Sequence, residues 1–159
     1  MVYLPPEEWF QTKDLQDYIV LSPTSSRIEK DMPVTTVRDI LKSTKYKVVL
    51  VGHGKTATSI SKNLHNEYNN LLDLTNKTTI TQLANVIKKS RAVIAVDTGT
   101  MHFACAINKP VVSVFYECKE SGFMHDSSMY KVKNITENQT AHNILNSVEE
   151  IIKESRKDA

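Results

Sequence analysis

The sequence predicts an α/β fold in which helices cover both faces of a mostly parallel sheet. Short runs of four or five apolar residues recur along the chain without polar alternation, which is typical of strands buried on both faces. Segments with helical spacing of apolar residues separate these runs. Such an alternation implies parallel strands joined by right-handed crossovers. The predicted architecture is therefore a doubly wound, Rossmann-like sandwich.

Length and composition indicate one soluble globular domain of 159 residues, with 40% hydrophobic and 24% charged residues. The 20 basic residues against 18 acidic residues give no reason to expect a nucleic-acid partner. Two cysteines form neither a disulfide framework nor a metal site, and Cys105 is expected to be a buried thiol. No run has the length of a membrane span, and the first residues lack the features of a signal peptide. We therefore expect a cytoplasmic protein.

The first half of the chain begins with a polar segment, residues 1–17, which we interpret as a linker or docking segment before a domain over residues 18–159. An apolar strand is predicted first, followed by a polar loop and then a helix with apolar residues at helical spacing after Pro33. A second strand ends at a Gly-His-Gly turn, and a more polar helix follows. In order, these predicted elements are strand 18–21, helix 34–43, strand 47–51 and helix 56–66.

The second half begins with a brief strand and a helix for which Thr79 is the predicted N-cap. A buried strand then runs into a turn and a helix of small residues, which Asn108 and Pro110 end before the next strand. An irregular loop, a last short strand and an amphipathic helix complete the chain. In order, these predicted elements are strand 71–74, helix 79–90, strand 92–96, the small-residue helix, strand 111–114, loop 116–128, strand 130–132 and helix 140–154.

The turn at residues 97–102 is the first candidate site, because it joins the carboxyl end of a strand to the start of a helix. Free helix amides there favour a phosphate or diphosphate, and Gly99 lets the backbone turn tightly and approach a ligand. Thr98 and Thr100 add hydroxyl donors, and His102 is expected to donate to a phosphate oxygen or a sugar hydroxyl. Asp97 repels phosphate, so it is expected to accept from sugar hydroxyls or to hold the turn. The alternative, of equal weight, is an ordinary capped helix with a structural histidine.

The loop after the first strand is the second candidate, because in a parallel sheet it opens on the same edge. Thr24 and Ser25 supply hydroxyls, and Arg27 and Lys30 supply positive charge. Such a loop suits a diphosphate. Taken alone, the segment is better explained as a solvated polar loop.

The Gly-His-Gly-Lys-Thr run at residues 52–56 is a third candidate. A P-loop needs glycine at position 49, which is Val49, so we exclude that site. The run matches the looser dinucleotide fingerprint weakly, with Ala57 as its last small residue and Asp73 as the acid. This match supports a nucleotide-sugar epimerase or dehydrogenase as an alternative function.

Acidic, cysteine and histidine side chains cluster at residues 117–126, and contact with a ligand or a metal is one interpretation of this cluster. Ordinary loop polarity explains the cluster better. The histidines show no ligand spacing with one another, so no metal site is predicted.

The stretch at residues 74–116 resembles glycosyltransferase family 9, the lipopolysaccharide heptosyltransferases. That family shows a helix after a small polar pair, a strand, D-T-G-x-x-H, an Ala-rich helix, Lys-Pro or Arg-Pro, and a strand ending in an aromatic residue. The resemblance extends more loosely from Tyr18 to the C-terminus. Lys30 and Pro33 match the family's K-x-W-P loop ending, with Met32 in place of tryptophan.

The resemblance implies one half of a GT-B fold, the half that binds the donor nucleotide-sugar, usually ADP-heptose, of an inverting enzyme. It implies no cofactor and no metal. It places Thr78 near the nucleobase. Carried over by position, the residues that contact the sugar and the diphosphate are Asp97, Thr98, Gly99 and His102 on one side and Thr24, Ser25 and Lys30 on the other.

The resemblance also implies a missing acceptor domain, on the N-terminal side, that carries the catalytic base. We therefore assign no catalytic residue and expect an excised domain or a partner chain. The implied role is synthesis of lipopolysaccharide or another surface glycan, with peripheral association of the acceptor domain with the inner membrane. The alternative is a Rossmann-like nucleotide-binding or scaffold module without catalytic activity of its own.

Two departures from the family pattern leave the donor open. The family often places a glutamate after the second strand to hold the ribose, and this chain has its Gly-His-Gly-Lys-Thr run there. The family also often reads Gly-Pro-Thr where this chain has Tyr116, Glu117 and Cys118. The sequence therefore leaves both the nucleotide and the sugar of the donor open.

Overall fold

The computed structural model describes residues 17–64, 67–116 and 132–157. Their secondary structure alternates strands and helices as the sequence predicts. The strands are β1 (Tyr18–Ser22), β2 (Lys47–Leu50), β3 (Leu71–Asp73), β4 (Val93–Val96), β5 (Val111–Val114) and β6 (Val132–Ile135). The helices are α1 (Val34–Ser43), α2 (Lys55–Leu64), α3 (Ile80–Lys89), α4 (Gly99–Ala106) and α5 (Ala141–Lys157), with a short 3-10 helix at Ile28–Lys30.

The six strands form one parallel sheet in the order β3-β2-β1-β4-β5-β6. The predicted doubly wound, Rossmann-like architecture is thus confirmed. Strand order reverses between β1 and β4, which lie side by side although a long stretch of chain separates them. In open α/β sheets, ligands bind in the crevice that opens at the carboxyl edge beside such a reversal.

Two apolar layers form the core, one on each face of the sheet, because neighbouring strand residues point to opposite faces. Ile19 and Leu21 pack against α1, α2 and α5, and Tyr18 and Val20 pack against α3 and α4. All four side chains are buried. The Tyr18 hydroxyl donates to the carbonyl of Val86 at 2.6 Å, so this buried polar group has a partner. Burial on both faces explains why the strand sequences do not alternate.

The strand β6 (Val132–Ile135) contains the predicted end at Val132 and continues three residues beyond it, whereas residues 130 and 131 of the prediction lie outside the described residues. Parallel pairing with β5 sets its register, with Val111 opposite Val132. Lys133 and Asn134 interrupt the apolar pattern, as an edge strand tolerates, and this hides the strand from a search for apolar runs. The predicted loop after β1 also contains the short 3-10 helix.

Some sequence predictions lie outside the described residues. These are the segment before Asp17 and the polar cluster at residues 117–126. Within the described ranges, no helix has the length and apolar character needed to cross a bilayer.

The start of α3 is fixed by a capping box, which confirms Thr79 as the N-cap. The Thr79 hydroxyl accepts from the backbone amide of Gln82 at 3.2 Å, and the Gln82 side chain accepts from the Thr79 amide at 2.9 Å. Both bonds satisfy helix amides that have no partner within the helix. The first turn of α3 therefore has a defined position at the carboxyl edge of the sheet.

Cys105 is a buried thiol on α4, as predicted. It packs with Met101 and Ala104 in the layer beneath α3 and α4. Burial raises the pKa of this thiol to about 11 because the thiolate is poorly solvated there.

We expect Thr79→Ala to lower the free energy of unfolding by about 1 kcal/mol, because the capping box is lost. Urea denaturation followed by circular dichroism measures the change. Thr35→Ala is the matched control, since Thr35 is an exposed residue within α1. Equal losses in the two variants would show that the cap contributes nothing.

Alkylation of Cys105 by iodoacetamide is expected to be slow at pH 8. With a pKa of about 11, only about one thiol in a thousand is ionised there, and that fraction rises about tenfold per pH unit up to pH 10. Mass spectrometry of a Cys118→Ser variant isolates the signal, and the same protein in urea gives the unburied rate. Native and unfolded protein reacting at the same rate at pH 8 would contradict the prediction.

Candidate functional site

A cavity of about 450 Å³ opens at the carboxyl edge of the sheet, at the reversal between β1 and β4. Four parts of the chain line it: the loop after β1, the turn after β2, and the first turns of α3 and α4. The sequence-predicted residues that line it are Thr24, Ser25, Thr78, Thr98, Gly99 and Thr100. The fold thus brings both predicted candidate loops to one space.

The apolar part of the cavity lining, or apolar wall, consists of Val51, Ile80, Leu83 and Phe103. The Ile80 residue is 70% exposed, although helical spacing places it on the same apolar face as the buried Ile87. Ile80 is the first residue of α3 and lies outside the core that Ile87 joins. The wall offers a flat ring an apolar surface.

The polar part of the lining, or polar wall, includes the start of α4, which Thr98 caps. Its hydroxyl accepts from the Thr100 amide at 3.1 Å. Gly99 has no positive φ, and a Cβ there meets no atom within 4 Å. The expected tight turn is therefore not what Gly99 provides. Instead, the space beside it is open, which lets a ligand approach the backbone of the first helical turn.

A charged cluster of Lys30, Asp97 and His102 lies beside the cavity. Its carboxylate, Asp97, directly precedes Thr98 in the chain. The Lys30 Nζ lies 2.9 Å from Asp97 Oδ2, and the His102 Nε2 lies 3.5 Å from Asp97 Oδ1. The Asp97 side chain is only 11% exposed and that of Lys30 23%. The aspartate thus gathers two basic side chains, one from the loop after β1 and one from α4.

The loop after β1 is closed on itself by hydrogen bonds and is not a solvated coil. Asp31 accepts from the Ser25 amide at 2.7 Å, and the Met32 amide donates to the carbonyl of Pro23 at 2.8 Å. The Ser25 hydroxyl donates to the carbonyl of Arg27 at 2.7 Å. Because Met32 is buried, it anchors the end of this loop. The loop therefore presents Thr24 and Lys30 from a preformed backbone.

The turn after β2 approaches the same cavity closely. Gly52 has a φ of +155°, and a Cβ there would lie 3.0 Å from the Ala57 Cβ and 3.1 Å from the Thr24 hydroxyl. Asn76 accepts from the Gly54 amide at 2.9 Å, and its own backbone amide donates to the Gly52 carbonyl at 2.8 Å. Sequence reasoning missed this support by Asn76. The sequence signal for it is weak: an Asn in the turn after a strand, a residue type that tolerates the positive φ found here.

The dinucleotide alternative gains no support from this turn. The glycines follow β2, one strand away from the reversal, whereas the fingerprint opens at the reversal itself. Asp73, the acid that the alternative needs, accepts from the Ser61 hydroxyl and from the Thr75 amide. His53 lies in the same turn, and its Nε2 is 3.4 Å from the Thr78 hydroxyl.

Metal ligands do not converge anywhere in the described part of the chain. No group of three or more histidine, cysteine, aspartate or glutamate side chains there has the arrangement of a metal site. The polar lining of the cavity includes hydroxyls and the amides at the start of α4, and the ion-paired Lys30 lies beside it.

Comparisons with known proteins identify the family. Residues 6–150 match glycosyltransferase family 9 (heptosyltransferase). No curated protein matches significantly. Among solved structures, Escherichia coli ADP-heptose lipopolysaccharide heptosyltransferase II is similar, with a TM-score of 0.75 and 21% identity over 90% of this chain and 48% of that chain.

Two further solved structures show the same fold. Escherichia coli heptosyltransferase WaaC with ADP-2-deoxy-2-fluoro heptose gives a TM-score of 0.68 and 19% identity over 98% of this chain and 46% of that one. A family 9 glycosyl transferase from Veillonella parvula gives 0.70 and 15% over 89% and 47%. The chain thus spans about half the length of these structures and matches half of a GT-B heptosyltransferase. It belongs to glycosyltransferase family 9, the heptosyltransferase family.

Proposed function

We propose that this domain binds the nucleotide-sugar donor, ADP-heptose or a related compound, of an inverting glycosyltransferase that builds lipopolysaccharide or another surface glycan. One observation carries the proposal. A single cavity at the strand-order reversal combines apolar side chains with hydroxyls and the amides at the start of α4, and the Lys30–Asp97 pair lies beside it. A nucleotide-sugar combines these same features, since it links a flat base to a diphosphate and a polar sugar.

The polar wall suits the diphosphate. The start of α4 carries the positive end of a helix dipole and free amides, and the side chains of Thr98 and Thr100 add hydroxyls. Lys30 brings a positive charge from the opposite loop. These donors stabilise the charge that develops on the diphosphate as it leaves, which is the main electrostatic task of such a transfer.

The apolar wall suits the nucleobase. Ile80, Leu83 and Phe103 offer apolar contact, and the polar Thr78 is buried at the same wall. A buried polar group beside an apolar surface is the usual means by which a pocket orients a ring. Escherichia coli heptosyltransferase WaaC, which shares the fold, has been solved with ADP-2-deoxy-2-fluoro heptose and with ADP, and this favours an adenine nucleotide here.

In the proposed reaction, an acceptor hydroxyl oxygen forms a bond to the anomeric carbon of the sugar. The bond from that carbon to the diphosphate oxygen breaks, and its electron pair leaves with the nucleoside diphosphate. A base takes the hydroxyl proton. We assign the acceptor site and this base to the remaining half of the enzyme, which works in the cytoplasm and associates peripherally with the inner membrane.

Calorimetric titration with ADP-heptose and with ADP-, UDP- and GDP-hexoses tests the donor. We expect one of them to bind, with the same affinity in EDTA as in magnesium, because helix amides, hydroxyls and the neighbouring Lys30 supply the donors for the diphosphate. The absence of any nucleotide binding, also after addition of the acceptor domain, would favour the scaffold alternative.

Lys30→Ala is expected to weaken binding of the donor about tenfold, because a charged hydrogen bond to the diphosphate is lost. Lys42→Ala is the matched control, since Lys42 is an exposed residue in the last turn of α1. Ligand-dependent melting compares the two variants. Equal shifts on addition of the donor would place Lys30 outside the site.

Gly52→Ala should reduce donor affinity more than Gly54→Ala does. Both glycines have a positive φ that strains an alanine by about 1 kcal/mol or more. Only at Gly52 does the new Cβ meet Thr24 and Ala57, whereas nothing lies within 4 Å of one at Gly54. Titration of both variants, with unfolding curves to correct for stability, measures the difference. Equal affinities in the two would show that the turn after β2 does not shape the donor pocket.

A further inference from the structure

Asp97 poses a physical problem for a diphosphate site, because a carboxylate repels phosphate. It is only 11% exposed, and the next residue in the chain, Thr98, lines the cavity. Its charge is therefore poorly screened by water, and its effect on a nearby anion is large. The repulsion depends on how much negative charge the ligand places beside it.

The two compounds that the proposed reaction interconverts differ in that charge. In a nucleotide-sugar, each phosphate of the diphosphate carries one negative charge, and the sugar presents hydroxyl donors. In the free nucleoside diphosphate, the terminal phosphate is a monoester with close to two charges at neutral pH, since the last proton leaves near pH 6. A carboxylate thus accepts hydrogen bonds from the first compound and repels the second.

Lys30 strengthens this distinction. Its Nζ lies 2.9 Å from Asp97 Oδ2, so the two charges largely offset one another before any ligand arrives. His102 lies on the other carboxylate oxygen, at 3.5 Å. A phosphate that draws Lys30 toward itself leaves the carboxylate less compensated, and a sugar hydroxyl donating to Asp97 restores the balance. A free terminal phosphate has no such donor to offer.

We propose that Asp97 sets a preference of this site for the sugar-capped diphosphate over the free nucleoside diphosphate that transfer leaves behind. The proposal rests on the proposed donor site and goes beyond it, since it assigns Asp97 to discrimination between substrate and product. The carboxylate favours binding of the intact donor and release of the spent nucleotide.

Titration of AMP, ADP and ADP-heptose into the wild-type chain and into Asp97→Asn tests the proposal. If UDP-sugars bind better, UMP, UDP and the UDP-sugar replace these three compounds. We expect the Asp97→Asn variant to bind ADP at least about tenfold more tightly than the wild type. It should bind ADP-heptose no more tightly than the wild type does. AMP, which has no second phosphate near Asp97, should bind both equally and reports an intact base pocket. Asp39→Asn removes the same charge from an exposed position on α1 and should change none of the three.

An unchanged ratio of ADP-heptose to ADP affinity in Asp97→Asn would overturn the inference. Weaker ADP binding would also overturn it, because Asp97 would then act only by positioning Lys30. Asp97→Ser provides a second variant without the carboxylate if the first does not fold. Binding of neither ADP nor ADP-heptose to the wild type is a different result, since it contradicts the donor site and not the discrimination alone.

Discussion

The reversal of strand order between β1 and β4 is the constraint on which the rest of this structure depends. The two strands pair in parallel, with Leu21 opposite Ile94 and Ser22 opposite Ala95. This register aligns their carboxyl ends, while their crossover helices α1 and α4 cover opposite faces of the sheet. The loop after β1 and the turn after β4 therefore leave the sheet side by side. The cavity and the pair of Lys30 with Asp97 both lie where they diverge.

The ion pair of Lys30 and Asp97 joins the structural role of this region to its proposed binding role. Burial of a carboxylate such as Asp97 lowers the stability of the fold unless a cation lies beside it, and Lys30 supplies that cation. Lys30 is in turn held by a loop that the Ser25–Asp31 hydrogen bond and the buried Met32 close. Removal of either charge leaves the other without this ion-pair partner. Any change in ligand binding at these positions must therefore be separated from a change in stability.

Most of the fold follows from local sequence patterns, because strands buried on both faces and amphipathic helices show directly in the order of apolar residues. The end of the edge strand β6 could not be predicted accurately, because Lys133 interrupts the run of apolar residues. The two loops of the site were predictable because parallel strands place them at one edge. The contact of Lys30 with Asp97, the bridge from Asn76 and the exposure of Ile80 were not, since each depends on where distant side chains end in space.

The hydroxyls of the site differ in what they still have to offer a ligand. The Ser25 hydroxyl already donates to the Arg27 carbonyl, so its hydrogen is committed to the loop. The Thr98 hydroxyl accepts from the Thr100 amide, which uses a lone pair and leaves its hydrogen able to donate. A hydroxyl in that state points an O–H at an anion without loss of the helix cap. For the proposed diphosphate site, these bonds favour Thr98 over Ser25 as a direct contact, while Ser25 shapes the loop that carries Lys30.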